Sequence, residues 1–74
     1  MGSHTEVEPR VMLLTAREHE ILSLTADGCS APVIARRLDC SAATVRTDLL
    51  SLFEKLGVTN RAAAIDAGTR SGLL

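Results

Sequence analysis

The chain contains little of what metal sites, disulfide scaffolds and membrane spans are made from. Its 74 residues include two cysteines, two histidines, one phenylalanine, and no tryptophan or tyrosine. Two cysteines without a histidine cluster fall short of the four ligands of structural zinc, and we interpret them as small reduced residues. No apolar run reaches the ~18 residues that predict a transmembrane helix. The N-terminus also lacks the basic-then-apolar pattern of a secretion signal.

Signals for catalysis are also missing. No Cys and His stand in a motif that pairs a nucleophile with a base, and no glycine-rich loop is present to hold a phosphate. With Phe53 as its single aromatic residue, a bundle of this size has little room for a substrate cavity. We therefore expect no enzymatic activity, no cofactor or metal ion, no small-molecule ligand and no membrane contact in this domain.

The composition predicts one small domain behind a short tail. We expect residues 1–9 to be a disordered polar tail that begins with MGSH, a remnant of cloning, and residues 10–74 to form the domain. The net charge of −1 is low for a nucleic-acid-binding protein. From Pro9 onwards, however, the chain has eight basic and seven acidic residues. The distribution of these charges therefore matters more than their sum.

Start and stop signals predict an all-α domain of four short helices. Each helix begins at a residue whose side chain can cap it, and a capping box marks the first of these starts, from Thr15 to Glu18. About three residues separate the second helix from the third, as in a helix-turn-helix. The predicted starts are Thr15, Ser30, Ser41 and Asn60, and the matching ends lie near Gly28, Asp39, Gly57 and Gly72.

The third helix has two different faces. One face is apolar, and the opposite face has mainly small or polar residues, so the helix can pack on one side and lie in the major groove of DNA with the other. The apolar set is Val45, Leu49, Leu52, Phe53 and Leu56, and the opposite set is Ala43, Arg46, Thr47, Leu50, Ser51 and Glu54.

Five blocks of this sequence resemble the DNA-binding domain of LuxR-type regulators, the family that includes the NarL/FixJ response regulators and GerE. They lie in one register without a gap over about 60 residues, which makes the match far more specific than any single motif. The blocks are LTAREHEIL at 14–22, IARRL at 34–38, SAATVR at 41–46, KLGV at 55–58 and NR at 60–61.

This resemblance implies a cytoplasmic bacterial regulator whose third helix binds double-stranded DNA. It also implies that such a domain stands at the C-terminus of a larger regulator, unless the native protein is a short one. Arg46 is the predicted anchor for a phosphate or guanine, and Thr47, Leu50 and Ser51 are predicted to contact base edges. The predicted contacts elsewhere are Ser30, Arg37, Ala43, Thr44 and Lys55.

Positions in the second and third helices depart from the family pattern, among them Ala31 and Pro32, which offer phosphate no side-chain donor. Val33 stands where the family usually has a glutamate that completes a capping box with Ser30, so we expect a weaker start to the second helix. Asp48 stands where histidine is common, and we expect it to form a local ion pair with Arg37 or Lys55. Leu50 replaces a polar or basic residue. It can contact a thymine methyl group, meet another protein surface or simply lie exposed.

The fourth helix is predicted to form a weak homodimer. Two alanines on one face permit close approach of a second helix, and an acidic and a basic residue on the same face can pair across a two-fold axis. The alternative is a solvated face, because alanine is also a good helix former. The face consists of Ala63, Asp66, Ala67 and Arg70.

Two functional hypotheses follow from the sequence. The first is sequence-specific binding of double-stranded DNA as the effector domain of a bacterial transcription regulator, which the five blocks, Arg46 and the short turn favour. The second is a degenerate helix-turn-helix that serves as a protein-interaction or dimerisation module with weak DNA affinity. The low net charge, Asp48 and Leu50 favour this second hypothesis.

Overall fold

A computed structural model of the protein describes residues 14–74, and these residues form four α-helices. The helices are α1 (Ala16–Ala26), α2 (Ala31–Leu38), α3 (Ala42–Leu56) and α4 (Arg61–Arg70). The predicted all-α architecture is confirmed, and each start lies at the predicted capping residue. The predicted tail, residues 1–9, and the first residues of the predicted domain, 10–13, lie outside the described residues. None of the four helices is long and apolar enough to cross a membrane.

Three of the four helix starts have the side-chain cap that the sequence predicts. The capping box of α1 is complete, since Glu18 N donates to Thr15 Oγ1 at 3.0 Å and Thr15 N donates to Glu18 Oε1 at 2.9 Å. Side-chain oxygens also cap α3 and α4, from Ser41 and Asn60. Ser30 stands at the start of α2 without a side-chain hydrogen bond, so the predicted cap of this helix is wrong. The missing glutamate at Val33 accounts only for the absence of the reciprocal bond to the Ser30 amide.

The turn between α2 and α3 is made by residues 39–41 and is as short as predicted. Asp39 adopts a left-handed conformation, with φ 58° and ψ 51°, which lets the chain reverse directly after α2. Aspartate accepts this conformation more readily than most residues. Cys40 N then donates to Ala35 O at 2.9 Å, so α3 begins at a fixed angle to α2.

The core is a single cluster of aliphatic side chains from all four helices. Phe53 lies only partly buried at its edge. Burial of apolar side chains is the main favourable term for folding, and it fixes α3 against the other three helices. The fully or largely buried apolar residues are Ile21, Leu22, Ile34, Ala35, Val45, Leu49, Leu52, Leu56 and Ala64.

The end of the chain folds back onto α1 and α4. Leu73 packs against the core, and its carbonyl oxygen lies 3.2 Å from His19 Nε2 on α1. Gly68 on α4 makes room for this return. A Cβ atom at Gly68 would lie only 3.0 Å from side-chain atoms of both Leu22 and Leu74.

Candidate nucleic-acid interface

One side of α3 is held by the core and the other side is exposed. Val45, Leu49, Leu52 and Leu56 are buried. The residues half a turn away form what we call the outer face of α3: Ala43, Arg46, Thr47, Leu50 and Glu54, all of them exposed. Leu50 is the most exposed large apolar residue of the described chain, with 69% of its surface accessible. The predicted two-faced helix is therefore present.

Arg46 is the basic residue of this outer face. It forms no ion pair with any of residues 14–74, and its guanidinium is open to solvent on an exposed part of α3. Such a group offers several N–H donors in the planar geometry that phosphates and guanine edges accept. The anchoring contact of Arg46 stays a prediction, for which the structure supplies the exposure of this residue.

Asp48 lies beside the outer face, and its ion-pair partner differs from the predicted one. Arg17 Nε on α1 donates to Asp48 Oδ2 at 2.9 Å, whereas Arg37 and Lys55 were expected. Arg17 also donates from Nη2 to Cys40 Sγ at 3.2 Å. The hydrogen bond to Asp48, with that to Cys40, raises the pKa of Arg17 above its ordinary value. The contact balances the carboxylate that would otherwise repel phosphate.

Two of the residues predicted to contact DNA, Ser51 and Lys55, contact α1 in the structure. Lys55 Nζ donates to Glu18 Oε1 at 2.8 Å, and Ser51 Oγ lies 3.5 Å from Glu18 Oε2 at the limit of a hydrogen bond. Burial alone would raise the pKa of Glu18. The hydrogen bonds from Lys55 and Thr15 outweigh it and hold that pKa below its ordinary value. The structure thus separates Ser51 and Lys55 from the outer face.

The remaining predicted DNA contacts stand at the start of α3 and along α2. Ser41 Oγ lies 2.9 Å from Thr44 Oγ1, and Thr44 is exposed in the first turn of α3. Ser30 and Arg37 are exposed at the two ends of α2, and Arg36 is exposed beside Arg37. Neither arginine forms an ion pair within residues 14–74. With Arg46, they are the arginines of residues 14–74 that form neither an ion pair nor a side-chain hydrogen bond there, whereas Arg61 Nη1 donates to Cys29 O at 3.2 Å.

The four residues predicted to form a dimer face lie along one side of α4. Ala63 and Ala67 are half-buried, and Asp66 and Arg70 are exposed. Asp66 and Arg70 pair within the helix, with Arg70 Nη2 at 2.9 Å from Asp66 Oδ2, rather than standing unpaired for a second copy.

No group of three or more metal-binding side chains gathers anywhere in residues 14–74.

Sequence reasoning missed the two contacts between α1 and α3. The sequence offers Arg17 two acidic neighbours, Glu18 and Glu20, as the nearest candidate partners. The pairs that form join residues more than thirty positions apart, Arg17 with Asp48 and Glu18 with Lys55. The only sequence signal was the charge complementarity of the two helices, which does not specify a partner.

Comparison with known proteins gives the same family as the sequence blocks. A model of the family described as "Bacterial regulatory proteins, luxR family" matches residues 12–67. The chain is 46% identical over 66 residues to the probable transcriptional regulatory protein NarL of Mycobacterium tuberculosis. The aligned residues make up 89% of this chain and 31% of that protein. The chain thus spans about a third of the length of this relative.

Two solved structures share the fold. The response regulator ChrA of a heme-sensing two-component system superposes with a TM-score of 0.79 at 46% identity, over 82% of this chain and 30% of that one. The transcription factor GerE superposes with a TM-score of 0.79 at 40% identity, over 84% of this chain and 92% of that one. The protein belongs to the luxR family of bacterial regulatory proteins, and its four helices form that family's helix-turn-helix domain.

Proposed function

We propose that this domain binds double-stranded DNA sequence-specifically, as the effector domain of a bacterial transcription regulator. The observation that carries the proposal is the outer face of α3, where Arg46 has no ion-pair partner among residues 14–74 and the opposite face is buried. A helix so exposed fits the major groove of B-DNA, which is about 12 Å wide. Membership of a family of regulatory proteins supports a binding module rather than an enzyme.

The charge distribution supports the proposal despite the net charge of −1. Asp48 and Glu18, two acidic residues beside the outer face of α3, are bound by Arg17 and Lys55. Glu54 is the acidic residue on that face, and it lies at the C-terminal end, two turns beyond Arg46. Arg36, Arg37 and Arg46 stay available to phosphate, and the amide ends of α2 and α3, near Ser30 and Thr44, add favourable dipoles. A protein that works on chromosomal DNA in a bacterium acts in the cytoplasm, and we propose that location.

Arg46→Ala tests the proposal. We expect the affinity for duplex DNA to fall about tenfold or more, because one bidentate contact of this kind contributes about 1–3 kcal/mol. Fluorescence anisotropy with a labelled duplex, first at roughly 50 mM and then at roughly 200 mM salt, measures the affinity and its salt dependence. Arg70→Ala removes the same charge from α4, and on a duplex with a single half-site, where a dimer gains nothing, it is the matched control.

A failure of wild-type binding at the lower salt concentration would overturn the proposal. The domain would then be a protein-interaction module, and the 69% exposure of Leu50 is the observation that favours this second function. Unchanged affinity of Arg46→Ala would remove Arg46 from its anchoring role. Circular dichroism of each variant establishes that the helices are retained.

We also propose a weak homodimer through α4. Ala63 and Ala67 leave a shallow surface on which a second helix can approach closely, and Asp66 and Arg70 flank it. A two-fold dimer would present two copies of α3 to half-sites one helical turn of DNA apart. The pair within α4 reduces what these charges add across the interface, so we expect weak association of the isolated domain.

Sedimentation equilibrium over a range of protein concentrations tests the dimer. Ala67→Arg places a long charged side chain on the surface and should leave only monomer, whereas Glu20→Arg on α1 is the control and should leave association unchanged. A wild-type domain that stays monomeric on a duplex with two half-sites would contradict the proposal.

A further inference from the structure

The outer face of α3 presents methyl groups where hydrogen-bonding side chains would be expected on a DNA-contacting helix. Ala43, Thr47 and Leu50 are spaced i, i+4 and i+7, so they lie along one stripe of the helix. All three are exposed. Arg46 flanks the stripe and Glu54 follows beyond its C-terminal end. The stripe itself has a single polar group, the hydroxyl of Thr47.

That hydroxyl is already used within the helix. Thr47 Oγ1 donates to Ala43 O at 3.1 Å, so its proton is not available for the acceptor atoms of a base. Thymine O4 and the N7 and O6 atoms of purines all require a donor. Its oxygen can still accept from adenine N6 or cytosine N4. Towards thymine and guanine, which offer only acceptors here, the Thr47 group left for contact is its γ-methyl group, beside the apolar side chain of Leu50.

The polar neighbours of the stripe face α1. Asp48 is bound by Arg17. Lys55 is bound by Glu18, and Ser51 Oγ also lies 3.5 Å from Glu18 Oε2. These contacts hold three hydrogen-bonding side chains of α3 against α1. They leave the apolar stripe and Arg46 as the groups in position to contact base edges.

The length of the stripe matches a short DNA element. Seven residues of α-helix rise about 10 Å, and successive base pairs rise about 3.4 Å. The stripe therefore spans roughly three base pairs when α3 follows the major groove. The one apolar group that a natural base pair offers in this groove is the C5 methyl group of thymine.

We propose that the outer face of α3 selects thymine through its C5 methyl group, with Leu50 and Thr47 as the residues that determine specificity and Arg46 as the polar anchor beside them. This inference rests on the proposed function, since it names the sequence class that the same surface recognises. It assigns the half-site two or three base pairs chosen by apolar contact rather than by hydrogen bonding.

The DNA arm of the test begins with duplexes selected from a random pool by the full chain. Selected half-sites should contain thymine at two or three neighbouring positions. Replacing each such thymine by deoxyuridine removes only the methyl group and should weaken binding about fourfold per position, the factor expected for one buried methyl group. Replacing the T·A pair by 5-methylcytosine·G should bind more tightly than cytosine·G, also by about fourfold.

The protein arm uses a matched pair of variants at Thr47. Thr47→Val keeps the methyl group and replaces the hydroxyl by a second methyl group, and it should bind the selected duplex at least as tightly as the wild type does. Thr47→Ser keeps the hydroxyl and removes the methyl group, and it should lose the preference for thymine over deoxyuridine at one position. Leu50→Ala should lose this preference at another. Leu50 is exposed, so its removal leaves the core intact.

The results separate this inference from the proposed function. Salt-dependent binding with equal affinity for thymine and deoxyuridine duplexes would overturn methyl recognition and leave DNA binding in place. Retained discrimination in Thr47→Ser, with loss in Thr47→Val, would overturn the role given to the methyl group of Thr47. No binding to any duplex would overturn both proposals and favour a protein partner for Leu50.

Discussion

Glu18 is the side chain that ties the start of α1 to α3. It closes the capping box with Thr15 and accepts a hydrogen bond from Lys55 at 2.8 Å, and only 8% of its surface is exposed. A carboxylate this buried is tolerated because its oxygens accept several hydrogen bonds and a positive charge is near. The same residue therefore stabilises one helix end and orients another helix.

Replacing Glu18 by glutamine should lower the free energy of unfolding by about 1–3 kcal/mol, the range for loss of hydrogen bonds to a charged group. The variant keeps the size of the side chain and removes the charge that binds Lys55. Urea denaturation at about pH 7 measures the change. Glu20→Gln, on the exposed side of α1, is the control, and an equal effect of both variants would contradict the role of Glu18.

The same carboxylate makes stability depend on pH. The pKa of Glu18 is lower in the folded state than its ordinary value of 4.5, so the unfolded chain binds the proton more tightly. Its contribution to stability is complete above this ordinary value and is lost as pH falls through the lower folded pKa. Urea denaturation over an acid pH series should therefore give a shallower loss of stability for Glu18→Gln than for the wild type.

The ion pair of Asp48 changes the electrostatic effect that this residue is expected to have on DNA. On the sequence alone it is a carboxylate that would repel DNA, and in the structure its charge is balanced by Arg17. Both side chains are partly exposed, so the pair contributes little to folding. Its consequence is electrostatic, because Arg17 is held on Asp48 and is not available to phosphate.

Asp48→Asn should therefore bind random duplex DNA about two- to fivefold more tightly at low salt, the factor that corresponds to one exposed charge interaction. The substitution removes a negative charge and frees Arg17. Anisotropy titrations should show the difference shrinking as salt rises, because exposed charges are screened. Asp66→Asn on α4 makes the same change in charge far from the outer face, and a similar gain there would contradict a local effect.

At the scale of the helices, α2 and α3 both begin at a serine, but only the serine of α3 caps its helix with a side-chain hydrogen bond. Ser41 Oγ accepts a hydrogen bond from Thr44 N at 3.1 Å, whereas Ser30 makes no capping hydrogen bond. Pro32, in the first turn of α2, removes one of the N–H groups that a cap would otherwise satisfy. The start of α3 is thus the better defined of the two, and α3 is the helix that presents the outer face.

Ser41→Ala should cost about 1 kcal/mol of stability, and Ser30→Ala only a few tenths. The difference follows from the cap that only Ser41 makes. Urea denaturation of the two variants measures it with the same substitution at two helix starts. Equal losses would contradict the inference that Ser30 contributes little through its side chain.

At the scale of the whole molecule, ion pairs decide where positive charge is available. Arg17, Lys55 and Arg70 are bound by acidic partners, and Arg36, Arg37 and Arg46 form no ion pair within residues 14–74. A net charge of −1 therefore coexists with arginines near the helix-turn-helix that phosphates can reach. Net charge alone is a poor guide to binding in such a molecule.

The three arginines set the expected salt dependence. If each contacts one phosphate, the logarithm of the binding constant should fall against that of salt concentration with a slope of about −2.7. On a duplex with a single half-site, Arg37→Ala should reduce the magnitude of the slope by about 0.9, and Arg70→Ala should leave it unchanged. A wild-type slope near zero would show that these arginines do not contact DNA.

Local signals were sufficient for the elements of this fold. Caps at Thr15, Ser41 and Asn60 depend on residues three positions apart, so the sequence states them directly. The apolar spacing of α3 predicted its buried side for the same reason. The family blocks added the family to which these helices belong, and the luxR-family match confirms that family. The DNA and dimer contacts assigned to single residues stay predictions.

The sequence by itself determined four helices, their starts, the short turn and the apolar side of α3, because these follow from contacts within one or two helical turns. Only the tertiary structure decided the partners of Asp48 and Glu18, since the packing of α1 on α3 brings together residues more than thirty positions apart. By placing Ser51 and Lys55 against α1, that packing also decided which side chains of α3 remain for another molecule.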